Sequence, residues 1–186
     1  MYISHYKEIF NAMGILWSSS KEISKELIIR MSLNYKVKEI TIFNLREKYK
    51  EFIFDCYRKD EEVLSDGYID EKIERLLDDK CSQIVAFSID IENPKYRYNT
   101  INNKFQCIQA REIKEQLRKE YSSKVNNYFL DNIIHLADNN EETELLKTVF
   151  DKYKNFAIKR YIREGEKTKN TTYLGIVNSI DSQEER

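Results

Sequence analysis

Glycine and proline are scarce. Four glycines and one proline in 186 residues leave little material for tight turns or for loops that wrap a phosphate. Neither GxGxxG nor GxxxxGKS/T occurs, which argues against the dinucleotide fingerprint and the P-loop. Cysteine is also sparse. Cys56, Cys81 and Cys107 are odd in number and far apart, so neither a disulfide framework nor a zinc site is expected. Free thiols fit a reducing compartment, and a cytoplasmic location is expected. No apolar run reaches the length of a membrane helix, so no membrane partner is expected. The opening MYISHYKEIF lacks the apolar core of a secretory leader. An excess of one charge is missing too. The formal net charge of −1 supplies no basic field to hold nucleic acid.

What the chain does have is aromatic mass. Thirteen tyrosines and nine phenylalanines are enough to build a sizeable core in one domain. MGILW, 13–17, reads as a first strand. SSSKEISKELIIRM then offers Ser19 or Ser20 as a cap, with Ile23, Leu27, Ile28 and Met31 on one helical face. KVKEITIFNL, 36–45, reads as a strand. REKYKEFIFDCYRKD, 46–60, and YIDEKIERLLDDK, 68–80, read as amphipathic helices, the second with Ile69, Ile73, Leu76 and Leu77 inward.

SQIVAFSIDI, 82–91, is a buried strand. ENPKYRYNTINNK, 92–104, reads as a loop. A helix over 107–121 follows, then a short strand within 127–137. A D-x-x-E cap at Asp138 and Glu141 starts a helix through about Tyr153, and a further helix runs to Arg163. The order β-α-β-α-α-β-loop-α-β-α predicts an α/β (α+β) sandwich with helices on one face and a split βαβ arrangement. The domain is expected over 1–153. A helical and polar extension is expected over 154–186, with one apolar patch, LGIV, at 174–177.

One of only two histidines falls in NIIHLAD, 132–138. His135 ends an apolar run just before a helix start, where free N–H groups favour anions. Lys114, Arg118, Lys119 and Lys124 are near in sequence. Imidazole can attack a phosphoryl group directly and carry it. The other histidine, His5, is read as solvent-exposed, and Asp78 and Asp79 as a solvated helix end rather than a metal site; no metal ligand is assigned. Tyr96 and Tyr98 are candidates for stacking on a base, though loop aromatics more often pack on the domain beneath them.

LRKEY, 117–121, followed by NIIHLADNNEETELLKTVF, 132–150, resembles the C-terminal half of nucleoside diphosphate kinases. The resemblance implies a ferredoxin-like βαββαβ sandwich and a nucleotide-dependent phosphotransferase with the phosphate carried on His135. It also implies nucleotide contacts by Arg118 and Asn132, with Arg111 and Arg97 as candidates for a second arginine. Mg²⁺ would come with the bound nucleoside di- or triphosphate, and the chain would form a homo-oligomer.

The departures are specific. HLAD stands where the family has HGSD, so Leu136 and Ala137 replace a glycine and a serine. ILWSSS, 15–20, stands where the family has lysine-proline-aspartate, leaving Lys21 or Lys25 as substitutes. Leu146 occupies the register of the acid that orients the histidine, with Glu142 or Glu144 as replacements. These departures motivate the alternative reading, a degenerate, non-catalytic nucleotide-binding or protein-interaction module of the same fold. RNA binding is disfavoured, because no glycine-containing aromatic motif is present.

Overall fold

The structure is a computed structural model describing residues 8–59, 67–78, 81–100, 103–126, 128–129 and 132–162. The LGIV patch, His5 and Asp79 lie outside the described residues. Strands β1 (Ile9–Leu16), β2 (Lys36–Asn44), β3 (Gln83–Glu92) and β6 (Ile134–Leu136) appear where alternating or continuous apolar runs predict them. Helices α1 (Ser24–Ser32), α2 (Tyr49–Tyr57), α3 (Tyr68–Asp78), α4 (Ile108–Tyr121) and α5 (Asn140–Lys152) follow the helical spacing. No helix among the described residues is long and apolar enough to cross a membrane.

Two segments differ from the expectation. The stretch after Pro94 is not a plain loop. It is a hairpin of β4 (Tyr96–Asn99) and β5 (Lys104–Cys107), with Tyr96 opposite Cys107 and Tyr98 opposite Phe105. Its turn contains Asn103 at φ 52°, a left-handed position that asparagine tolerates. Residues after Tyr153 do not continue as helix either. Ala157–Ile162 is strand β7, paired antiparallel with β2. AIKRYI alternates in burial along its length, and the free edge of β2 supplies the backbone partners that a helix would have had to find within itself.

The main sheet has the order β6-β1-β3-β2-β7 and is antiparallel throughout. Leaving out β7, this is fourth-first-third-second of a βαββαβ chain, the ferredoxin-like arrangement. Helices cover both faces, not one. On the first face, Leu27, Ile28 and Met31 of α1 and Ile113 and Leu117 of α4 pack on Val85, Phe87 and Ile89. On the second, Phe52 and Ile53 of α2, Ile73 of α3 and Leu146 of α5 pack on Ile15, Phe43, Ile84 and Ala86. The extra helical pair between β2 and β3 makes this second layer. It turns the open sheet face into an interior.

Candidate active site

Strand β6 has only three residues, and its side chains alternate. Ile134 and Leu136 enter the first core. His135, opposite Ile15 of β1, therefore points into the second layer and is 7% exposed. The serines after β1 fix the entry to this strand. Ser20 Oγ donates to the Ile133 carbonyl at 3.1 Å, Ser19 Oγ donates to the Asn132 carbonyl, and Trp17 N–H donates to Ile133 at 3.1 Å. Neither serine caps a helix N–H. The chain instead turns through a 3-10 segment, Ser18–Ile23, into α1.

The imidazole has a different partner at each nitrogen. Nε2 lies 3.0 Å from Glu142 Oε1, and Nδ1 lies 3.4 Å from the Tyr57 hydroxyl. The first pairing is one of charge and distance rather than a well-aligned hydrogen bond. The Tyr57 and His135 rings meet edge-on, 5.2 Å apart at 73°. Burial would raise the Glu142 carboxyl, but the His135 ring, Lys114 and the Asp138 N–H together outweigh it and hold the group at about 2. Glu142 is thus an ionised acceptor facing the imidazole. Its other oxygen accepts the Asp138 N–H at 3.0 Å, so the carboxylate is held from two sides.

The two helices that bring Tyr57 and Glu142 are clamped together. Lys152 of α5 reaches Asp55 of α2 at 2.6 Å and Glu51 at 3.0 Å, and the Tyr153 hydroxyl donates to Asp55 at 2.8 Å. Burial and Asp55 push the Tyr153 phenol well above its ordinary range. Phe52 stacks on Phe150 at 6.3 Å beside this clamp.

Among the described residues, the polar partners of His135 are Tyr57 and Glu142 and do not include the sequence-predicted arginines. Arg118 turns its guanidinium to the Ile134 carbonyl, at 2.9 and 3.3 Å, and so supports the outer edge of β6. Asn132 is buried and closes a turn, accepting the Phe129 N–H at 3.3 Å. Arg111 pairs with Glu115 along α4 at 2.8 Å, and Arg97 is exposed on the hairpin. Lys21 is exposed beyond the end of β1.

Of the two replacement acids, Glu142 is the one at the ring, while Glu144 pairs outward with Lys147 at 2.7 Å. Asp138 is not the helix cap. Asn139 caps α5 by accepting the Glu142 N–H at 2.9 Å, and Asp138 forms a buried pair with Lys114 at 3.2 Å. Tyr96 packs on Phe10, and Tyr98 lies 5.1 Å from Phe105 on the exposed hairpin.

Sequence reasoning missed Lys72 and Trp17. Lys72 is 1% exposed, with its ammonium 4.9 Å from the Tyr57 ring centre and 5.4 Å from that of Trp17. Trp17 stacks on Tyr57 at 6.1 Å, and its buried indole N–H has no hydrogen-bond partner. A signal was available for Lys72. It shares the i, i+3, i+4 stripe of Ile69, Ile73 and Leu76, whereas Leu77, read as inward, is 41% exposed.

No family model matches the sequence. The fold is that of nucleoside diphosphate kinases. The Aquifex aeolicus nucleoside diphosphate kinase superposes with a TM-score of 0.52 at 15% identity, covering 77% of this chain and 95% of that one. A Borrelia burgdorferi nucleoside diphosphate kinase with bound vanadate and ADP gives 0.46 at 10% identity, over 84% and 94% of the two chains. Among curated proteins, an rRNA biogenesis protein of Candida glabrata is 35% identical over 89 residues. That match takes in 47% of this chain and spans about a quarter of the relative, 25% of its length.

Proposed function

We propose that the protein transfers a phosphoryl group from a nucleoside triphosphate to a nucleoside diphosphate, with His135 as the carrier. The observation that supports this best is the Glu142 carboxylate 3.0 Å from Nε2. An ionised carboxylate only accepts, so it favours the tautomer with its proton on Nε2 and the lone pair on Nδ1. That lone pair is the nucleophile. It forms a bond to the γ-phosphorus as the bond from phosphorus to the bridging oxygen breaks, and the electron pair leaves with the nucleoside diphosphate. A terminal phosphate oxygen of a second diphosphate then attacks the same phosphorus and releases Nδ1. Glu142 offsets the positive charge that the ring gains on attack. The Tyr57 hydroxyl stands at Nδ1, and the phosphoryl group takes its place.

The nearest carboxylates, Glu142 and Asp138, already face His135 and Lys114. No cluster of three or more metal-binding side chains occurs among the described residues. The Mg²⁺ that goes with this reading fits the nucleotide's own phosphates, where it would neutralise their charge. Arg97 and Arg111 are candidates for the outer phosphates. Arg118 and Asn132 hold the strand that presents the histidine. A homo-oligomer and a cytoplasmic location belong to the same reading, and sedimentation of the purified chain tests the first.

The deciding experiment is incubation with γ-labelled ATP and Mg²⁺, followed by a basic quench. The expected product is an alkali-stable, acid-labile label that is absent from His135→Asn. A label that survives the substitution overturns the mechanism. No label, together with nucleotide-dependent stabilisation in thermal melts, assigns the fold a binding role without turnover.

A further inference from the structure

The proposal concerns the buried cation beside Tyr57 and rests on the reading that His135 carries a phosphoryl group. The end of β1, where the family resemblance leads one to look for a lysine, holds Leu16, Trp17 and Ser18. The charge comes from another element. Lys72 of α3 reaches in from the far side of Tyr57 and contacts the faces of both Tyr57 and Trp17. The side chains of Lys72, Trp17, Tyr57 and His135 form one continuous group, each touching the next.

Two properties of this group point to an anion. A fully buried ammonium is poorly screened, so its field acts strongly on its neighbours. A methionine would fill the same space without the cost of desolvating a charge, so packing alone does not account for a lysine here. The Trp17 indole N–H is also buried and makes no hydrogen bond, a donor with no acceptor. A cation and an unsatisfied donor next to a nucleophilic nitrogen suit a tetrahedral oxyanion.

We propose that Lys72 and the Trp17 indole N–H form a phosphate subsite that holds the phosphoryl group beside His135 when the Tyr57 hydroxyl yields its place. Lys72 thereby supplies from α3 the cation that β1 lacks.

The chain's single tryptophan makes the test direct. Inorganic phosphate is titrated into the full chain at constant ionic strength, with chloride as the control. Trp17 fluorescence and the ¹⁵N-resolved indole N–H resonance are read. The expected result is a saturable downfield shift of the indole proton with phosphate and none with chloride. Lys72→Met should weaken phosphate binding by about tenfold or more, the loss of one charge-assisted hydrogen bond, and Lys72→Arg should restore part of it. His135→Asn should still bind phosphate.

An indole resonance unmoved by phosphate overturns the proposal, and so does undiminished binding in Lys72→Met. If Lys72→Met does not fold, the wild-type resonance decides alone. The two readings fail separately. A phosphate-dependent shift without ATP labelling keeps the subsite and removes the transfer reaction. Labelling of His135 without a shift does the reverse.

Discussion

Gly14 of β1 and Phe87 of β3 are register partners, and the Phe87 ring lies where a Gly14 side chain would be. A Cβ at position 14 would stand inside the ring's van der Waals surface. Phe87 is 1% exposed and has no room to retreat. Gly14→Ala should therefore destabilise the fold by about 1–3 kcal/mol, the usual cost of overpacking a core. Gly14 also pairs with Leu136 on its other side, next to His135, so the disturbance reaches β6. Urea unfolding of Gly14→Ala, and of Gly14→Ala with Phe87→Leu, checks this. The second change should recover part of the loss, because the two residues touch.

Asp138 and Asn139 exchange the roles that their spacing suggests. A cap is worth about 1 kcal/mol, and Asn139→Ala should cost about that. Asp138 instead neutralises Lys114 in a site where the two side chains are only 7% and 12% exposed. Asp138→Asn would leave that ammonium without its carboxylate and should cost about 3 kcal/mol. Equal losses for the two substitutions, measured by chemical denaturation, would contradict the ion-pair assignment.

These residues show what one sequence can and cannot reveal. The four strands of the ferredoxin-like sheet were legible because burial imposes periodicity on every residue of a core element. The histidine and its candidate acids were legible because they lie within eight residues of one another, on a strand and the helix that follows. Lys72 and Tyr57 come to His135 from α3 and α2, and nothing local marks them. The strand β7 was misread because AIKRYI suits either state until a partner edge is known. The hairpin was misread for a related reason. Its alternating Tyr96, Tyr98, Phe105 and Cys107 are split by an asparagine-rich turn rather than by glycine.

The Tyr57 hydroxyl shields His135 Nδ1, so removing it should expose the nucleophile. Tyr57→Phe keeps the ring that stacks on Trp17 and leaves the fold intact. Acylation of His135 by diethyl pyrocarbonate should then run several-fold faster than in the wild type. With only His5 and His135 in the chain, peptide mass mapping separates the two sites. A rate unchanged by Tyr57→Phe would mean that the hydroxyl does not guard the nitrogen.

Glu142 makes the last prediction one of acid stability. Its carboxyl lies at about 2 in the folded chain, below an ordinary value of 4.5. A depressed carboxyl adds stability that is complete above the unfolded value and is lost as pH falls through the folded one. The window therefore runs from about pH 4.5 down to about pH 2, and the loss is on the order of 2 to 3 kcal/mol. Other carboxylates are depressed too, among them Glu51, Glu115 and Glu120, but their partners are solvent-exposed pairs. Salt screens those pairs and barely touches a carboxylate set against a buried ring. Urea unfolding from pH 7 to pH 2.5 in high salt should still show the fall in wild type. Glu142→Gln should be less stable at pH 7 and nearly flat below pH 4.5. A wild-type curve that flattens in salt would place the acid sensitivity on the surface and not at the histidine.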